Sequence, residues 1–194
     1  MSFFKRIGAF FLDIIQTVVL ALSIFVVVYL FFFAPHEVKG QSMFPNFHDG
    51  EFILTDKFTY RFHLPKRGET VIFKAPATES CAEVECEYIK RIIGLPGEKV
   101  KIQNGRVFID GQVLAEGYLP GGELLSAGSF LKEGQGFSIP AGSYIVLGDN
   151  RPHSRDSREF GPIKKEAMIG RAFFRYWPPG RMGLIGAEGT EDRK

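Results

Sequence analysis

Three short segments of this 194-residue chain hold the side chains that could do chemistry together. Ser42 lies in Gly40-Gln41-Ser42-Met43-Phe44-Pro45, and Lys90 lies in Tyr88-Ile89-Lys90-Arg91. Gly148-Asp149-Asn150-Arg151 is followed by Ser154, Asp156, Ser157 and Arg158. A serine hydroxyl is a poor nucleophile until a base takes its proton. The only histidine in these segments is His153, and the chain has no Gly-x-Ser-x-Gly elbow and no zinc-helix motif, so Lys90 is the candidate base. A free lysine, with a pKa of about 10.4, must come down to about 7–8 for that task. Burial disfavours the ammonium form, and Tyr88, Ile89, Ile92 and Ile93 offer apolar surroundings. Strand alternation equally allows Lys90 to face solvent while Ile89 faces the core, and spacing does not choose between the two. Serine beside glycine is also a common turn, and Asp149-Asn150 can simply close one.

Taken in order behind an apolar N-terminal run, with Gly68-Glu69-Thr70-Val71-Ile72-Phe73 as a fourth box, these segments resemble bacterial type I signal peptidases. The resemblance extends from the apolar run to about Trp177. It implies an all-β fold, an antiparallel catalytic domain of the signal-peptidase type with a small cap, on one N-terminal transmembrane helix. It implies a Ser–Lys dyad without histidine, with Ser42 as nucleophile and Lys90 as general base. Ser154 would orient the lysine amine, Asp156 and Arg158 would form an ion pair beneath the site, and Asp149 and Arg151 would belong to the same supporting box. Met43, Ile72, Tyr88 and Ile89 match positions lining shallow pockets, which accept small side chains one and three residues before the cut in an extended precursor.

The implied activity is that of a membrane-anchored serine endopeptidase removing N-terminal signal peptides from exported preproteins, without a cofactor. The bilayer and the protein-export machinery are further implied partners. Acyl transfer needs hydrogen-bond donors aimed at the developing oxyanion, and the Ser42 backbone N–H is the expected one. Some family members add a hydroxyl two residues before the nucleophile, where this chain has Gly40. Asn46 replaces a usual threonine, and Glu69-Thr70 stands where Asp-Ile is common. These departures touch local geometry and leave every expected catalytic group present. A narrow-substrate Ser–Lys processing peptidase of the conjugation-pilin type fits the same boxes. An inactive anchored β-domain that binds exported chains is the reading from a different class. The anchor argues against a self-cleaving repressor.

The elements that must position these residues begin with residues 14–34, an uncharged stretch interrupted only by Gln16, Thr17 and Ser23. As a helix it would reach roughly 32 Å, enough for a hydrocarbon core of about 30 Å. It is longer than the apolar region of a cleavable signal peptide, no small-x-small site follows, and Pro35 comes next. Lys5 and Arg6 precede the run, and His36, Glu37 and Lys39 follow it, so the positive-inside rule predicts a cytoplasmic N-terminus. The expected layout is a cytoplasmic segment 1–13, an anchor 14–34 in the plasma (inner) membrane, and an extracytoplasmic domain 35–185. A polar tail, 186–194, would end the chain.

Within that domain, short β-prone runs cover 51–55, 70–73, 88–93, 99–103, 106–109, 112–114, 143–147 and 169–177. Asn104-Gly105 suits a hairpin turn. Residues 104–140 are expected to hold that hairpin and a small cap insertion, with 115–138 aperiodic. Pro178-Pro179-Gly180 is expected to end the regular structure. Cys81 and Cys86 lack a second ligand pair at zinc spacing, so no metal site is expected. In an oxidising compartment they are a candidate short-loop disulfide, with two free thiols as the alternative. The formal charge of +2, with scattered Lys and Arg, argues against nucleic acid as a partner.

Overall fold

The computed structural model describes residues 3–77, 79, 86–121, 125–186 and 189–190. Helix α1, Phe3–Phe32, is followed without a loop by strand β1, Phe33–Glu37. The helix therefore starts before the predicted anchor, because Lys5, Arg6 and Asp13 bound the apolar stretch but do not break a helix. It also stops two residues short of Ala34. The residue before a proline is pushed out of the helical region, and Ala34 and Pro35 instead pair with Thr55 and Leu54. Proline is admissible there because β1 is an edge strand. The 22-residue span Arg6–Val27 is long and apolar enough to cross a membrane, and none of it is buried in the protein. A row of exposed Leu, Ile, Val and Phe side chains needs another apolar solvent.

The remaining strands are β2 (Phe52–Asp56), β3 (Thr70–Lys74), β4 (Glu87–Gly94), β5 (Lys99–Gln103), β6 (Arg106–Ile109), β7 (Gln112–Val113) and β8 (Gly136–Ser138). They continue with β9 (Ser143–Leu147), β10 (Ile163–Lys164), β11 (Met168–Trp177), β12 (Gly183–Gly186) and β13 (Gly189–Thr190). Among the described residues the large sheet runs β1-β2-β11-β3-β4-β9-β10, with β12 on β11 and β13 on β12. The smaller sheet runs β7-β6-β5-β8 and forms the expected cap, with Asn104 and Gly105 at positive φ in its hairpin turn. Each strand pair is antiparallel, as expected for the all-β class. Regular structure does not end at Pro178-Pro179-Gly180. The chain turns there and returns as β12, pairing Leu184 with Phe174, and Gly186 of the predicted tail is still in that strand.

Three apolar clusters fix the strands that carry the site. Val38, Met43, Phe47, Ile53, Ile72 and Ala172 pack beneath the segment bearing Ser42. Val71, Phe73, Ile92, Tyr144 and Val146 fill the middle of the large sheet. Ile93, Val100, Ile102, Ile145 and Leu147 join the two sheets. Strand β4 contributes Ile92 to one cluster and Ile93 to another, so it is covered on both faces. That double cover decides the environment of Lys90.

Candidate active site

Ser42 sits on the turn that joins β1 to β2. Gly40 enters the turn at φ +84, a conformation glycine adopts without a steric cost, and its N–H donates to Asp49 Oδ1 at 2.6 Å. Phe44 N–H donates to Gln41 O and Phe47 N–H to Met43 O, which tightens the backbone around the serine. Arg175 of β11 donates from Nη2 to Asn46 O at 2.7 Å and ion-pairs with buried Glu51 at 3.0 Å, holding the turn against the sheet.

Lys90, 4% exposed, reaches from β4 so that its Nζ lies 2.7 Å from Ser42 Oγ, and it also donates to Ile89 O at 3.0 Å. The side chain therefore faces Ser42 and not solvent. Burial lowers its pKa to about 8 against the opposing pull of Asp156 and Asp149, and Arg158 adds to the lowering. A substantial neutral fraction is thus available near pH 8, which is what general-base work requires.

Arg91, on the opposite face of β4, is fully buried and makes a two-pronged ion pair with Asp149. Its Nε lies 2.8 Å from Oδ1 and its Nη2 lies 2.6 Å from Oδ2. Its Nη1 donates to Gly68 O at 2.7 Å. Asn46 Nδ2 donates to Asp149 Oδ2 at 2.8 Å and to Tyr118 O at 2.9 Å, so one carboxylate ties the turn bearing Ser42 to β4 and both to the cap. Asn150 completes the link, its N–H donating to Ser42 O and its Nδ2 to Gln41 O, both at 3.0 Å.

Asp156 and Arg158 form a buried ion pair at 2.8 Å. Asp156 also accepts from Gly148 N–H, while Arg158 Nη2 donates to the carbonyls of Arg151 and Ser154. Arg151 turns away from Asp149 and pairs with Glu116 of the cap. Ser154 Oγ is buried without a hydrogen-bond partner among the described residues, and the two bonds from Lys90 go elsewhere. It nevertheless lies beside the backbone of Ser42, across Gly148. A Cβ at Gly148 would stand 2.1 Å from Ser154 Oγ and 2.5 Å from Ser42 O.

Beside Ser42 and Lys90 opens a groove of about 770 Å³, lined by residues 35–39, Ile53, Ile72, residues 86–89 and Arg155. Ile72, Tyr88 and Ile89 lie on it. Met43 does not line it but lies beneath, 1% exposed in the core cluster under the turn. It follows Ser42 on a tight turn, so its side chain points inward where the serine points out. Glu79 accepts from Tyr88 Oη at 3.3 Å and pairs with Arg155 at the rim. Cys81 lies outside the described residues, so its pairing with Cys86 stands as an expectation. Among the described residues no group of three His, Cys, Asp or Glu side chains could hold a metal ion.

Neither Asn46, which follows the first segment, nor Asn150, inside the third, is singled out by the sequence as a site residue. Arg91 carried a usable signal, a second cation beside Lys90 in an apolar run. Glu116 carried none, because it lies in the aperiodic stretch.

A family model described as signal peptidase, peptidase S26, matches residues 11–177. The chain is 33% identical over 174 residues to a probable signal peptidase I-2 of Synechocystis sp., covering 90% of this chain and 77% of that protein. It is 38% identical over 167 residues to signal peptidase I V of Bacillus subtilis, covering 82% and 93% respectively. A crystal structure of a signal peptidase I from Enterococcus faecalis superposes with a TM-score of 0.45 at 30% identity, over 56% of this chain and 97% of that one.

Proposed function

The chain belongs to the signal peptidase family, peptidase S26, and from that premise we propose that Ser42 and Lys90 carry its reaction. The protein is a membrane-anchored serine endopeptidase acting on preproteins with signal peptides. The single observation that carries the residue assignment is the 2.7 Å contact between Ser42 Oγ and a buried Lys90 Nζ. Neutral Lys90 takes the hydroxyl proton as Oγ attacks the scissile carbonyl. The resulting ammonium gives that proton to the departing amine, which leaves an acyl ester on Ser42. Lys90 then takes a proton from water, which adds to the ester, and returns it to Ser42 Oγ as the acid product leaves. The Ser42 N–H is the donor for the oxyanion. Ser154 Oγ is available to accept from Lys90 in its ammonium form.

The groove suits an extended precursor. Strand β1 pairs only with β2, and residues 87–90 of β4 pair only with β3, so among the described residues both strands offer a free edge there. A peptide strand added between these edges gains backbone hydrogen bonds from each. From Ser42 the groove runs back along residues 39–35 toward the end of α1. The apolar part of a signal peptide occupies the bilayer, so the residues before the cut lie on that side.

The N-terminus is assigned to the cytoplasm, the apolar stretch of α1 to the bilayer and the domain from β1 onward to the extracytoplasmic face, following the charges of Lys5 and Arg6. Lipid is a direct partner. The Phe58 ring centroid lies 4.5 Å from that of Phe32 at the helix end and 4.6 Å from that of Phe62, both tilted, and Phe62 and Leu64 are exposed. This apolar edge continues the surface of the helix. Tethering confines enzyme and cut site to one layer and raises their effective concentration, an advantage that the export machinery would add to.

Incubating the detergent-solubilised protein with a preprotein carrying an Ala-x-Ala site tests the assignment. Cleavage at that site by the parent and not by Ser42→Ala is expected. Equal cleavage by both would remove Ser42 from the mechanism.

A further inference from the structure

Two cations flank the groove beside Ser42 and Lys90, and the chemistry above uses neither. Lys39 enters from the stretch that leads out of β1, and Arg155 from the segment after β9. Both line the groove and both are exposed. Among the described residues no carboxylate is paired with Lys39. Arg155, 64% exposed at its side chain, is tethered through Nε to Glu79, whose own side chain is only 3% exposed. Glu79 also accepts from Tyr88 Oη, and the Tyr88 ring centroid lies 5.3 Å from Lys90 Nζ. A guanidinium carries five N–H donors in a planar fork. Among the described residues Arg155 spends only the Nε donor, which leaves its two amino groups for another carboxylate.

Strand geometry sets the faces. His36 is in register with Ile53, and Val38 packs with Ile53 and Ile72, so both face the apolar floor of the groove. Alternation then turns Glu37 and Lys39 to the opposite face. On β4, Ile89 is in register with Ile72 and shares the floor, so Tyr88 and Lys90 lie on the opposite face as well. Lys39 and the Tyr88–Glu79–Arg155 rim thus stand on the same side of a peptide strand seated between β1 and β4, which lies about 4.8 Å from each. The carboxylates of the groove do not cancel this charge. Glu87 is on the floor face and pairs with His36 at 3.0 Å. Glu37 lies two residues further from Ser42 than Lys39 does, so the positive charge is concentrated beside the cut.

We propose that Lys39 and Arg155 form a cationic subsite that favours an acidic side chain at the second residue before the cut. The inference rests on the reading above that a preprotein lies in this groove as a strand. With the first and third residues turned to the floor, alternation turns the second toward Lys39 on one wall and Arg155 on the other. A glutamate or aspartate there meets a cation from each side, and a lysine meets repulsion from both. The pairs are exposed, so the effect is a severalfold bias and not a requirement. Salt screens it for the same reason. The bias suits the substrate class, because lysine and arginine close behind an apolar span hold that side of it in the cytoplasm and so oppose export.

The test measures kcat/KM in nonionic detergent for preproteins carrying Glu, Gln or Lys as the middle residue of an Ala-x-Ala site, and for the same three changes at the first residue after the cut. The enzymes are the parent, Lys39→Glu, Arg155→Glu and the double variant. A ratio between two substrates on one enzyme cancels any general loss of active protein. The parental Glu-to-Lys ratio at the middle residue is expected to be about tenfold at low salt and to fall toward one at high salt. Each single reversal should cut the ratio about threefold or more, and the double reversal should invert it, with Gln between the two throughout. The parental ratio and its salt dependence need no variant to fold. A parental ratio near one at low salt overturns the subsite, and so does a ratio that both single reversals leave unchanged. A larger ratio at the first residue after the cut overturns the assigned position. A parent that leaves the Ala-Gln-Ala preprotein uncut overturns the functional reading itself, and the subsite with it.

Discussion

Ser42 Oγ and Lys90 Nζ stand 2.7 Å apart although 48 residues of chain separate them. The contact joins a turn after an edge strand to the middle of β4, and each partner is held by groups the other does not touch. Asn150 fixes the serine backbone, and the apolar cover of β4 buries the amine. If this pair is the dyad, its properties can be tested separately.

The first test is pH. Lys90 is held at about 8 by burial, and only its neutral form accepts the serine proton. The kcat/KM should therefore rise with pH along one ionisation centred near 8 and level off above it, since that ratio reports the free enzyme. A profile already flat from pH 6 upward would point to another base.

Lys90→Arg should be close to inactive, because a guanidinium stays protonated at any working pH. Lys90→His can retain a trace, since imidazole accepts a proton but is shorter. Single-turnover cleavage of the Ala-x-Ala preprotein measures both variants. Near-parental rates in Lys90→Arg would exclude Lys90 as base.

Burying Lys90 has a cost that is also pH-dependent. Its folded pKa lies below the ordinary 10.5, so between about 8 and 10.5 the unfolded chain binds more protons than the folded one. Stability should rise with pH across that window, while the penalty is fully present below pH 8. Lys90→Met removes it and should be more stable than the parent at pH 7 by up to roughly 3 kcal/mol, with the difference shrinking toward pH 10.5. Urea midpoints at the two pH values show it. A Lys90→Met protein no more stable than the parent at pH 7 would mean that the amine is better solvated than its burial indicates.

Asp149→Ala should destabilise by about 3–5 kcal/mol, because it leaves the fully buried Arg91 guanidinium without its carboxylate. It also releases Asn46 from β4, so activity should fall beyond what the folded fraction explains. Chemical denaturation together with active-site titration separates the two effects.

Gly148→Ala should suppress cleavage with a stability loss of only about 1–3 kcal/mol. Its Cβ would press on Ser154 Oγ at 2.1 Å and on Ser42 O at 2.5 Å, displacing the serine backbone. Parental kcat in a folded Gly148→Ala protein would show that this close packing is dispensable.

By itself the sequence determined whatever depends on local pattern. The apolar run predicted α1, and Asn104-Gly105 predicted the turn joining β5 and β6. The β-prone runs at 51–55, 70–73, 99–103, 106–109 and 143–147 all became strands within a residue or so. Strand β1 was hidden because Pro35 reads as a breaker, and only the edge position on β2 makes it tolerable. The short β10 and β12 have too few residues for any periodicity and exist through their neighbours. At the site, the residue types were legible in Ser42, Lys90 and the Gly148-Asp149-Asn150-Arg151 box, but not their partners. Asp149 joins Arg91 and not Arg151, and Arg151 joins Glu116. Alternation left open whether Lys90 faced water or the core. Tertiary structure decided it by covering β4 on both faces, since desolvation depends on what packs above a residue and not on its neighbours in the chain.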